Sequence, residues 1–136
     1  MRPLVLAACA IAFSSLAEAE DARPSQAVCD AAKIGARELA DCLRTNAERA
    51  DRELAAAVDA AIKSIDTRQG LLSSQKARWR RSLGEAQAQW VAWRDSECQD
   101  VAPFESGMDA KGGDPRLRCI IDYNAERVSS LKARYP

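Results

Sequence analysis

The sequence contains no histidine and no net charge: 20 lysines and arginines face 20 aspartates and glutamates across 136 residues. Without histidine, the usual general base and the commonest metal ligand are both missing. There is also no phosphate-cradling glycine loop and no Gly-x-Ser-x-Gly elbow. Glu105 and Asp109 could form an acid–base pair, but a glycine-containing loop does not provide the burial that such chemistry needs. An enzyme is therefore not expected, nor is a cofactor or a bound metal. Neutrality removes any long-range field for nucleic acid, anionic lipid or a cationic partner. Any charge-driven recognition must rest on a local patch. Strand signals are missing as well, because the β-branched residues are scattered and alternating runs stay short.

Long apolar runs are limited to the N-terminus. Met1-Arg2 precedes an apolar stretch from Leu4 to Leu16, too short to span a bilayer. Ala17-Glu18-Ala19 then supplies small residues at the −3 and −1 positions of a signal-peptidase site. Residues 1–19 are read as a cleaved export signal, and the mature protein as periplasmic or secreted, with no membrane contact. Leu6-Ala7-Ala8-Cys9 looks like a lipoprotein box, but too little apolar chain precedes Cys9 for that use. Losing Arg2 and Glu18 leaves nineteen charges of each sign, so the mature chain stays neutral.

Cleavage also turns five cysteines into four: Cys29, Cys42, Cys98 and Cys119. An even number in a small exported domain argues for two disulfides. The expected pairing is two short loops, Cys29 with Cys42 and Cys98 with Cys119, while crossed pairings that would staple distant helices stay open. A metal site is disfavoured because no close CxxC pair occurs.

What the chain has in quantity is helical pattern. Residues 20–28 are polar with a proline and read as a flexible arm; residues 29–136 read as one domain. From about Ala31 to Asp66, Leu39, Leu43, Ala50, Leu54, Ala57, Ala61 and Ile65 form a helical core stripe. A break is possible near Thr45-Asn46, where two poor helix formers adjoin. After a turn at Gly70, a second helix is expected from about Ser74 to Asp100, with Trp79, Leu83, Ala86, Trp90 and Trp93 inward. A third, from about Pro115 to Arg134, would carry Leu117, Ile120, Ile121, Asn124, Val128 and Leu131 on one side. Asp114 is its expected cap. The pattern predicts an all-α fold, a small three-helix up-down-up bundle.

Between the last two helices, Asp100–Asp114 reads as an irregular loop with three glycines and a proline. A Cys98–Cys119 bridge would pinch it and present Phe104, Glu105, Met108, Asp109 and Lys111 at one end of the bundle. Gly112-Gly113 is read as the turn leading into the third helix. The basic cluster Lys76–Arg81 is read as a solvated face. Trp90 and Trp93 are read as core, with an exposed Trp93 beside the loop as the sharper alternative. Arg94 and Asp95 are read as a bridge to Asp122, Glu126 or Arg127, with a binding role as the alternative.

The run Leu83–Cys98, LGEAQAQWVAWRDSEC, resembles the signature of the LprI-like family of bacterial lysozyme inhibitors, which are small exported domains. The resemblance rests on Gln87, Trp90, the trio Trp93-Arg94-Asp95, and Cys98. It extends through Ala50-Asp51 with Leu54, Gly112-Gly113, and Arg127 with Leu131. Two positions depart from the pattern: Ala55 and Val58 stand where asparagine and tyrosine are common. The resemblance implies a binding protein whose partner is lysozyme or another cell-wall hydrolase, and the chain is expected to be a monomer. The implied contact is the Asp100–Asp114 loop, with Lys111 approaching the hydrolase's catalytic carboxylates and Trp93, Arg94 and Asp95 behind. The alternative is an envelope adaptor that binds another exported protein or a glycan.

Overall fold

A computed structural model of the chain describes residues 22–107 and 111–136. The expected export signal and the candidate residue Asp109 lie outside them. Among the described residues, five helices run in the order α1 (Pro24–Val28), α2 (Ala36–Thr67), α3 (Ser73–Ser96), α4 (Ala102–Glu105) and α5 (Pro115–Arg134), with a π-helical turn, Glu97–Val101, joining α3 to α4. No strand occurs among the described residues. The fold is a small all-α bundle whose long helices are α2, α3 and α5.

Helix α2 follows its stripe closely. Leu39, Leu43, Ala47, Ala50, Leu54, Ala57, Ala61 and Ile65 are all buried, at spacings of three and four that keep them on one side. Half of them are alanines, which let α5 approach closely; α2 and α5 are the most extensively packed pair. The helix passes Thr45-Asn46 without the expected break. The Asn46 amide donates to the Cys42 carbonyl at 2.9 Å, which absorbs its competition with the backbone.

The segment expected to be a loose arm also differs, because from Pro24 it forms a helix docked on the bundle. Ser25 is buried and donates to Asp122 of α5 twice, from its backbone N–H at 2.7 Å and its hydroxyl at 3.0 Å. Pro24 occupies the first turn of α1, where a missing N–H costs nothing.

The second helix is longer than expected, and its inward face is rotated. Pro103 cannot donate the N–H that an α-helix would aim at the Gln99 carbonyl. The wider π turn lets the helical rod carry past it to Glu105. Helix thus continues to Glu105, and Gly107 beyond it is in the left-handed region (φ 69°). Helix α3 buries Leu83, Gln87 and Arg94, whereas Ala86 is exposed and Trp93 keeps 48 % of its surface. Trp79 and Trp90 are partly buried against the core.

Apolar residues gather in two clusters. One joins Leu54, Ala57, Ala61, Ile65, Leu83, Leu131 and Tyr135. The other joins Cys29, Leu39, Leu43, Ala47 and Ile121. The bonds Cys29–Cys42 and Cys98–Cys119 fasten α1 to α2 and the π turn to α5. These are the two short-loop pairings. No helix among the described residues is long and apolar enough to cross a membrane.

Candidate functional site

Between the two apolar clusters lies a polar layer contributed by all three long helices. Arg94 is buried. Its Nη1 donates to Asp51 Oδ1 at 3.0 Å and to Asn124 Oδ1 at 2.6 Å. Nε and Nη2 both donate to Asp95 Oδ1, at 3.0 and 2.7 Å. The triangle closes where the Asn124 amide donates to Asp51 Oδ1 at 2.8 Å. Asn124 is fully enclosed, and no buried side-chain nitrogen or oxygen among the described residues lacks a partner. A planar guanidinium with five donors suits such a junction, because it reaches α2, α5 and its own helix at once.

A second layer sits one turn away. Arg127 Nε donates to Gln87 Oε1 at 3.0 Å, and the guanidinium groups of Arg127 and Arg94 lie over the Trp90 ring at 5.4 and 5.8 Å. Burial, then the nearby Arg134 charge, lowers the Arg127 pKa from its ordinary value. The bridge expected from Arg94 to Asp122, Glu126 or Arg127 is corrected: its partners are Asn124, Asp51 and Asp95. Asp122 is instead engaged by Ser25. Arg94 is therefore held inside the bundle and is not part of an exposed contact surface. Asp95 keeps about half of its side chain exposed (52 %) while bonded to Arg94.

The exposed chemistry lies at the end where the rod and α5 are disulfide-bonded. Trp93 stacks edge-to-face on Tyr123 of α5, with ring centroids 5.0 Å apart. Phe104 is 86 % exposed, and Val101 is exposed between it and Trp93 along the chain. The charges of Glu97, Glu126 and Glu105 act on Tyr123. Burial raises the Tyr123 phenol pKa most, and these carboxylates add to the rise, against a small opposing effect of Arg23. Tyr123 was not among the residues singled out in the sequence. The signal available was its place three residues from Glu126 and four from Cys119 on α5.

Gly112 and Gly113 serve the turn. Gly113 has φ 80°, and a Cβ there would stand 2.6 Å from Leu43 Cδ1 and 3.1 Å from Leu39 Cδ2. The glycine lets the loop press on α2 where any side chain would collide. Asp114 then caps α5 by accepting from the Arg116 N–H at 2.9 Å. Lys111 opens the described part of the turn and is exposed. Leu131 is core.

Two concavities lie elsewhere. One of about 140 Å³ is lined by Pro24, Val28, Asn46, Glu53, Ile121 and Val128. The other, about 320 Å³, opens between Ser25, Cys29, Asp30, Gly112 and Arg118. The first is small for a ligand pocket, and neither includes Trp93, Phe104 or the carboxylates that act on Tyr123. The aromatic end is an open surface outside both concavities.

Among known proteins, a family model described as "Lysozyme inhibitor LprI" matches residues 29–131. No curated protein and no solved structure matches the chain.

Proposed function

The chain belongs to the LprI family of lysozyme inhibitors, and from that membership we propose that it is an exported protein that blocks lysozyme or a related cell-wall hydrolase by protein–protein contact. The match from Cys29 to Leu131 carries the reading, since it spans both disulfides and every long helix. Two bonded cysteine pairs in so small a helical domain suit an oxidising compartment outside the cytoplasm. Inhibition of this kind needs no catalytic group on the inhibitor, only a rigid surface that covers the hydrolase's cleft. Preordering favours such docking because little freedom is then lost on association. The Cys98–Cys119 bond helps to preorder the end that carries Phe104 and Glu105. Lys111 and Asp109, in the same connection, remain candidates for the contact.

A lysis assay tests the proposal. The mature protein, with disulfides intact, is titrated into c-, g- and i-type lysozymes acting on cell walls. Saturable inhibition of at least one class, lost on reduction, is the expected result. If a protein shown to be folded by circular dichroism inhibits none of them, the proposal fails and an adaptor role in the envelope takes its place.

A further inference from the structure

We infer that the aromatic, acidic face of the rod at Trp93–Glu105 is the docking surface, and that it takes a basic protein surface presenting arginine or lysine side chains. This rests on the inhibitor reading and names the partner's chemistry.

The first observation is apolar area left uncovered. Trp93, Val101 and Phe104 are 48, 36 and 86 % exposed. They follow one another at spacings of eight and three, with Glu97 midway between the first two. Across a π turn, these spacings keep all four on one side of the rod. Tyr123 widens the strip on α5 by stacking against Trp93.

The second observation is the distribution of charge. From Lys76 to Arg81 the rod carries Lys76, Arg78, Arg80 and Arg81 and no acid. From Asp95 to Glu105 it carries Asp95, Glu97, Asp100 and Glu105 and no base. Helix dipoles favour the reverse, with acids at the N-terminal end and bases at the C-terminal end. Helix stability therefore does not account for this arrangement. At about 1.5 Å per residue the two groups lie roughly 30 Å apart, beyond the screening length of about 8 Å at physiological salt. The neutral total hides an acidic stretch of the rod, Glu97 to Glu105, that remains after Asp95 is paired with Arg94.

Together these features define the partner. Carboxylates flanking the exposed indole and phenyl rings and the half-buried Tyr123 phenol attract a cation twice, by charge and through the ring faces. The same carboxylates repel polyanions, including nucleic acid and anionic cell-wall polymers. A basic protein surface fits both conditions.

The test uses calorimetric titration of the whole disulfide-bonded mature protein with c-, g- and i-type lysozymes and, separately, with soluble muropeptides. Phe104→Ala and the double variant Glu97→Gln/Glu105→Gln are compared with Arg78→Gln/Arg81→Gln from the opposite end. Phe104 is so exposed that its truncation leaves the core untouched, and circular dichroism checks each variant. The expected result is a roughly tenfold or greater loss of lysozyme affinity in the first two and none in the third, about 1.4 kcal/mol or more. Affinity should also fall as salt rises. Tight binding by the parent that the first two variants share overturns this surface while the inhibitor reading stands. No binding to any lysozyme overturns both, and binding to muropeptides alone replaces the basic partner with a glycan.

Discussion

Arg94 shows how one side chain can join three helices. Its guanidinium reaches Asp51 on α2, Asn124 on α5 and its own neighbour Asp95. Lysine could not replace it, since a point ammonium lacks the fork that reaches acceptors on both sides. Removing the guanidinium leaves Asn124 enclosed with its carbonyl oxygen unanswered. Asp51 and Asp95 can rehydrate, because each is about half exposed (54 and 52 %). Arg94→Ala is therefore expected to cost about 2–3 kcal/mol, below the cost of breaking a wholly buried pair. Urea unfolding measures it, and an unchanged midpoint would mean that the layer contributes nothing to stability. Of the α3 residues that carry the family resemblance, Gln87, Trp90, Arg94 and Asp95 meet in these polar contacts and Trp93 stands outside them, so most of that signature reads first as a device of the fold.

At the scale of elements, the register of the bundle depends on this layer. The α2 stripe is largely leucine and alanine, and a slip by one helical turn would still match apolar to apolar. Asp51, Arg94 and Asn124 meet in only one alignment. The turn into α5 adds a second constraint through Gly113, which sits against Leu39 and Leu43 with positive φ. Gly113→Ala is expected to lower stability by about 2–4 kcal/mol from the strained backbone and the overpacked contact together, read from thermal unfolding. A melting point equal to the parent's would show that the turn can relax away from α2.

These elements also mark what the sequence made legible. The α2 stripe could be read directly because its buried positions are apolar and regularly spaced. The α3 face could not, because Gln87 and Arg94 take buried positions and Trp93 stands at the edge. Polarity points outward in pattern reading, and here it points inward because partners wait on other helices. Ser25 was missed for a related reason: its partner Asp122 lies 97 residues away. Pro103 suggested an ending where the chain instead widens into a π turn. The exposed candidates Phe104 and Glu105 were legible, whereas the role of Tyr123 depends on packing against Trp93.

Over the whole molecule, the covalent reinforcement is uneven. Both disulfides lie in the half that holds the starts of α2 and α5, together with the rod's acidic end. The other half, around Leu54, Ile65, Leu83 and Leu131, holds no disulfide among the described residues and relies on apolar packing with a few polar contacts such as Trp79 Nε1–H to the Tyr135 hydroxyl. Replacing Cys98 and Cys119 together by serine should cost about 2–4 kcal/mol. Hydrogen exchange should then rise first in α4 and the start of α5, which are freed at their junction. If exchange rises evenly along the chain instead, the bridge does not hold that end locally.

From Cys29 onward, the two bonds also pair neighbouring cysteines along the chain, at separations of 13 and 21 residues, and neither loop encloses the other. A chain threaded N-terminus first into an oxidising compartment brings out Cys29 and Cys42 before Cys98 has emerged. An oxidant that joins thiols in order of arrival therefore produces the native connectivity at the first attempt. With the export proposed above, this connectivity is expected to form without an isomerase.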